Sequence, residues 1–169
     1  MKQTLLVCDA GPLILLAKLD RLEWLVAHGR FLPVVLQCVA DEVLRGPFAP
    51  GEEERLEAFF REIPPEAHDP EPLQAGALSA SDRASLRKAE AHPGSWLLAD
   101  DRLLRRAARF AGCSVIGFAG LLLEAVATDV LAAGDARHLL DRAVSDHGYR
   151  ISIALYQRLL STLDSMESA

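Results

Sequence analysis

The sequence is short of cysteine, and what it has is too scattered for a disulfide framework or a zinc site. Cys8, Cys38 and Cys113 are an odd number, and no C-x-x-C pair occurs, so a reducing, cytoplasmic setting is expected. Metal-ligand spacing is also missing from the five histidines, which are scattered singly; surface or capping roles are expected for them. No G-x-x-x-x-G-K-[ST] or G-x-G-x-x-G loop is present, which removes the usual warrant for NTP or dinucleotide binding. Ser95, Ser114 and Ser152 lack the context of a nucleophile elbow. The apolar stretch 5–16 contains Asp9 and is followed by no small-residue cleavage site, so it does not read as a secretory signal. The apolar region 115–133 carries Glu124 and Asp129, which would be costly in lipid; a buried amphipathic helix is expected there, and no membrane partner. Internal repeats and low-complexity tracts are absent. Positive charge is in deficit too: 18 Lys+Arg against 24 Asp+Glu give −6 and a pI near 5.3. That balance argues against wrapping nucleic acid on a broad basic surface.

What is present is an ordinary globular composition, half hydrophobic and a quarter charged. At 169 residues it predicts one domain, 1–169, burying about two-thirds of its unfolded surface. An α/β core is expected over about 1–131 and a C-terminal helical extension over about 132–169. Short apolar runs at 5–8, 31–36, 95–99 and 114–116 read as strands. Helical patterning occupies 13–27, 39–44, 79–91, 101–111, 119–131, 136–146 and 153–163. Residues 51–61 read as an exposed acidic helix, and 64–72, with four prolines, as an irregular loop. Ser79-Ala80-Ser81-Asp82 offers N-cap chemistry, with an acid in the first turn. Strands alternating with helices predict a three-layer α/β/α sandwich with a short, mainly parallel sheet.

In such a sheet ligands gather beyond the carboxyl ends of the strands. Asp9 ends the first strand, and Asp100 and Asp101 end the third, so all three are expected at one sheet edge. Glu42 lies on the short helix after the second strand, whose Val39 and Val43 face the core; Asp82 sits in the first turn of the helix before the third strand. Both are expected to point at the same edge. Each has a bland counterpart: turn residue for Asp9, N-cap for Asp101, capping or supporting group for Asp100, solvated helix residue for Glu42 and Asp82. Their joint placement favours function. Oxygen-only donors suit hard cations such as Mg²⁺ or Mn²⁺, and paired ions roughly 3.5–4 Å apart serve phosphodiester hydrolysis. Without metal such a cluster repels itself and raises a carboxylate pKa. A haloacid dehalogenase-type phosphatase needs a second acid two residues after the first, where Gly11 stands.

Four stretches, Val7-Cys8-Asp9-Ala10-Gly11-Pro12-Leu13-Ile14, Val39-Ala40-Asp41-Glu42-Val43, Ser81-Asp82-Arg83-Ala84-Ser85-Leu86 and Leu97-Leu98-Ala99-Asp100-Asp101-Arg102, resemble the PIN-domain family. Within it the chain is similar to small prokaryotic proteins related to the VapC-type toxins. Val115-Ile116-Gly117 and Gly148-Tyr149-Arg150-Ile151-Ser152 extend the resemblance along almost the whole chain. It implies a metal-dependent endoribonuclease acting on single-stranded RNA and leaving a 5′-phosphate and a 3′-hydroxyl. Acids at Asp9, Glu42, Asp82 and Asp101 would bind Mg²⁺ or Mn²⁺, with Asp100 auxiliary. It also implies a place in a toxin–antitoxin pair with an antitoxin-like partner. Gly11 departs from the Ser or Thr of many relatives, and Ser81-Asp82 from Gly-Glu. These departures motivate the alternative of a PIN-like scaffold that no longer cleaves and acts as a binding or regulatory module.

Fifteen of the eighteen basic residues are Arg, the residue suited to bidentate phosphate contact. Arg83, Arg87 and Lys88 lie on one predicted helix and Arg102, Arg105, Arg106 and Arg109 on another, both flanking the acids; Arg83, Arg102 and Arg105 are the candidates for substrate phosphate. Trp24 and Trp96 are expected in the core or an interface, not as base platforms. The apolar C-terminal helices predict a homodimer. Read by position, part of the acidic excess is a site that a metal would neutralise and part is the start Glu52-Glu53-Glu54 of a helix remote from it. The expectation becomes a local, metal-assisted grip on single-stranded RNA.

Overall fold

Four short strands, Thr4–Cys8 (β1), Phe31–Val35 (β2), Trp96–Leu98 (β3) and Ser114–Ile116 (β4), pair in the order β2-β1-β3-β4, all parallel. They belong to a computed structural model that describes residues 3–27, 29–69 and 76–167. Successive side chains of a strand point to opposite faces, and here both faces are covered. Leu6, Cys8, Leu98 and Ile116 join one apolar cluster, while Val7, Leu97 and Ala99 join another. Parallel strands need crossover helices, and those helices bury both faces. The chain leaves β1 for β2 on one side, whereas β3 and β4 lie on the other. Strand order therefore reverses between β1 and β3, opening a crevice beyond their carboxyl ends.

Around the sheet lie Ala10–Leu19 (α1), Trp24–Ala27 (α2), Gln37–Val43 (α3), Glu52–Glu62 (α4), Ala80–Glu90 (α5), Arg102–Phe110 (α6), Phe118–Ala127 (α7), Ala133–Ser145 (α8) and Ile153–Glu167 (α9). Pro12 sits in the first turn of α1, where its missing N–H costs no helical bond. The helical pattern over 13–27 divides into α1 and α2 because Asp20 takes a left-handed conformation, φ 58°. Ala89, Leu104 and Ala108 of α5 and α6 cover one sheet face; residues of α1, α7, α8 and α9 cover the other. Leu139, Leu140, Leu159 and Leu163 belong to that same cluster, so the last two helices complete the main core.

Three expectations are corrected. The apolar region 115–133 is not one helix: the strand expected at 114–116 opens it, Gly117 takes an extended conformation and caps α7, and α7 ends at Ala127, short of the expected 131. The acidic helix is not exposed all round: Glu52 is 2% exposed and accepts from the Ala49 amide at 2.7 Å, and Leu56, Phe59 and Phe60 are buried. Its place is nonetheless against the far half of α1, where Arg55 donates to the Ala17 carbonyl. The proline-rich loop borrows sheet geometry, since the Glu66 amide donates to Val35 O and the Gln37 amide to Glu66 O, both at 2.8 Å. Residues 70–72 of that loop lie outside the described residues. No helix among the described residues is long and apolar enough to cross a membrane.

The start of α5 is a capping box. Ser79 Oγ accepts from the Asp82 amide at 3.0 Å, and Asp82 Oδ2 accepts from the Ser79 amide at 2.8 Å, satisfying two helix-end donors reciprocally. Ser79→Ala is expected to lower stability by about 1 kcal/mol, read as a reduced urea midpoint at unchanged slope.

Candidate active site

Asp9 follows directly on β1, and its amide donates to Leu98 O at 3.0 Å, so the ends of β1 and β3 are stitched together at the crevice. It occupies the N-cap position of α1 but makes no side-chain cap bond. At 5% exposure, its carboxyl is pushed up to about 7, first by burial and then by the charge of Asp82. The Ala10 amide offsets part of that rise, the charge of Glu42 adds to it, and the Gly11 amide again lowers it. Three acids, from the end of β1 and from α3 and α5, thus share one field, which is the repulsion expected of a cation site without its cation.

Each neighbouring carboxylate spends one oxygen locally. Glu42, presented by α3 because Val39 and Val43 take the inner face, accepts from Ser81 Oγ at 2.5 Å through Oε2. Ser81 also contacts Ser79 Oγ at 2.9 Å. Asp82 spends Oδ2 in the capping box. Asp101 is the N-cap of α6, its Oδ1 accepting from the Leu103 and Leu104 amides, each at 2.9 Å. The N-cap role readable for Asp101 is therefore real, and Asp82, read as a solvated helix residue, instead closes a capping box. These bonds leave Glu42 Oε1, Asp82 Oδ1 and Asp101 Oδ2 without a hydrogen-bond partner among the described residues. In donor type these oxygens, with Asp9, fit a hard divalent cation. Among the described residues no three acidic, His or Cys side chains converge closely enough to hold one.

Asp100 turns the other way. Its carboxylate accepts from the Phe118 amide at 3.0 and 3.3 Å and from the Tyr149 hydroxyl at 3.3 Å. Burial raises its pKa, against the pull of the Phe118 amide, Arg105 and Tyr149; burial, then the charge of Asp100, drives the Tyr149 phenol upward. Gly117 permits this contact: a Cβ there would stand 2.4 Å from Asp100 Oδ1 and 2.6 Å from an Arg105 nitrogen. Asp100 thereby anchors the start of α7, and the Tyr149 ring packs edge-on against Phe118, centroids 5.1 Å apart.

Of the candidate phosphate ligands, Arg83 donates to Leu78 O and Arg105 to Ala99 O, both at 2.7 Å, while Arg102 is exposed at the start of α6. Gly11 leaves open space beside Asp9; an added Cβ would meet only Asp9 Oδ2, at 4.0 Å. Ser81 and Tyr149 are the partners that sequence reasoning did not assign. Ser81 lies 39 residues from Glu42 and Tyr149 49 from Asp100, so no local spacing signals either pair.

The sequence profile of the DUF3368 family of PIN domains matches residues 5–165. The chain belongs to the PIN-domain family. The match spans β1 through most of α9, so the C-terminal helices lie within the region that this family shares. PIN domains are usually nucleases and generally use divalent metals, and in this one Asp9 and the ends of β1 and β3 form the centre of the acidic edge. Comparison with curated proteins and with solved structures gives no match.

Proposed function

We propose that this PIN domain is an Mg²⁺- or Mn²⁺-dependent endoribonuclease that hydrolyses phosphodiester bonds of single-stranded RNA in the cytoplasm. The observation that carries the reading is the buried Asp9 carboxylate, set at the strand-order reversal and raised to about 7 partly by Asp82 and Glu42. Asp9 and Asp101 are the principal metal ligands, Glu42 and Asp82 complete the shell and orient the attacking water, and Asp100 is the auxiliary group behind them. A divalent ion, when bound there, would supply an activated water and charge stabilisation at the leaving oxygen. Ser81 sets the direction of Glu42. Arg102, exposed at the start of α6, meets the substrate phosphates, with Arg83 and Arg105 beside it. An antitoxin-like partner and a homodimer through α8 and α9 complete the proposal; a monomeric mass by light scattering would remove the dimer.

The expected result is Mn²⁺-supported cleavage of single-stranded RNA to 5′-phosphate and 3′-hydroxyl ends, abolished by EDTA. Cleavage that persists in EDTA would overturn the mechanism. A second reading, the non-cleaving scaffold, is favoured by the capping bonds that occupy Asp82 and Asp101. Calorimetric Mn²⁺ binding that Asp101→Ala abolishes would count against that scaffold.

A further inference from the structure

A cleft of about 620 Å³ lies along the outer edge of the sheet, walled by β4, α7 and α9, and neither Asp9, Glu42 nor Asp82 lines it. Its charge is the opposite of the acidic edge. Arg30, Arg105, Arg150 and Arg158 face it against two carboxylates, Asp100 and Glu124. Those carboxylates are already matched: Glu124 is ion-paired with Arg30, and Asp100 lies in the field of Arg105 and accepts from Tyr149. Arg150 and Arg158 are exposed and have no carboxylate partner among the described residues. The cleft thus carries two guanidinium groups beyond its internal pairs.

Part of the wall is flat and delocalised. The Arg30 guanidinium lies 5.0 Å from the Phe31 ring centroid and 5.2 Å from that of Trp96, and Glu124 fixes it from the side. Phe31 and Trp96 in turn pack together at 6.1 Å. Aliphatic side chains, Val115, Ile116, Leu123 and Leu155 among them, also line it. Gly120 lets α7 approach β4 closely, since a Cβ there would stand 2.6 Å from Ile116 Cγ1.

Free guanidinium groups suit phosphate oxygens bidentately. A guanidinium plane backed by aromatic rings is a surface on which nucleic-acid bases stack. A concave site that joins apolar lining to convergent polar groups is the usual form of a small-ligand site. We propose that this cleft binds a nucleotide, its phosphate on Arg150 and Arg158 and its base toward the Arg30 face. The nucleotide comes either from a single RNA strand, in which case the site deepens the ribonuclease reading by holding the strand to one side of the acidic edge, or from the free mononucleotide pool.

The test is equilibrium binding to the metal-free protein in EDTA, where cleavage plays no part. A short fluorescein-labelled single-stranded RNA is the probe, with AMP, UMP and inorganic phosphate as competitors. Arg158→Glu and Arg150→Glu are each expected to weaken RNA or mononucleotide binding about tenfold. Arg61→Glu, the same charge change on α4, is expected to leave it within about twofold. Displacement of RNA by AMP or UMP identifies a mononucleotide site; RNA binding that they do not displace identifies a strand site. Unaltered affinity in both cleft variants would overturn the proposal, as would inorganic phosphate competing as well as AMP, or no binding of RNA or mononucleotide. Binding without Mn²⁺-dependent cleavage would leave the cleft assignment standing and remove the ribonuclease reading alone.

Discussion

Asp9→Asn is expected to slow cleavage by two to three orders of magnitude, roughly the worth of one metal ligand, and, in the same molecule, to stabilise the metal-free fold at neutral pH. A metal ligand at the reacting centre contributes several kcal/mol of transition-state stabilisation, so its loss should cost roughly 10²–10³-fold in rate. Asparagine keeps the shape and removes the charge that Asp82 and Glu42 repel. The sign of the stability effect follows from linkage. The folded carboxyl is raised to about 7 from an ordinary 3.8, so between these values the native state binds more protons than the unfolded chain, and stability falls as pH rises. The group's full stability is present below about 4, decays through about 7, and is absent above it, a span on the order of a few kcal/mol. Denaturant midpoints of wild type and Asp9→Asn in EDTA should therefore converge near pH 4 and separate toward pH 8, with the variant the more stable. Saturating Mn²⁺ should raise the wild-type midpoint alone. Parallel profiles at all pH values would show that Asp9 carries no such strain.

Asp100→Ala is expected to lose stability by about 2–3 kcal/mol, because it strands two donors at once. The Phe118 amide at the start of α7 and the Tyr149 hydroxyl lose their acceptor, and Arg105 loses the carboxylate beside it. Asp100→Asn retains one carbonyl oxygen and should recover most of the loss. Urea titration measures both, and calorimetry with Mn²⁺ separates support from ligation. Asp100→Asn should bind Mn²⁺ nearly as wild type, whereas Asp101→Ala should not. Loss of Mn²⁺ affinity in Asp100→Asn at unchanged stability would make Asp100 a ligand and not an anchor.

The two adjacent aspartates show how far local pattern reaches. An Asp at the end of a strand and immediately before a helix is legible as an N-cap, and Asp101 is one. That its neighbour faces α7 and Tyr149 is not legible, because the residues answering it lie 18 and 49 positions away. Glu42 is similar. Val39 and Val43 announce the inner face of α3, which sends Glu42 outward; the Ser81 hydroxyl that meets it arrives from α5 through the fold alone. Trp96 was legible as a core or interface residue, but the Arg30 guanidinium set against it depends on β2 and β3 each pairing with β1.

By itself the sequence determined the alternation of strands and helices, the burial of both sheet faces and the arrival of Asp9, Asp100 and Asp101 at strand ends. These follow from periodicity and turn chemistry, which act over a few residues. Tertiary structure alone decided which strand ends became neighbours, which acids met a partner from a distant segment, and which arginines came to line one cleft. Those outcomes depend on contacts between distant segments, and the parallel sheet is what brings such segments together.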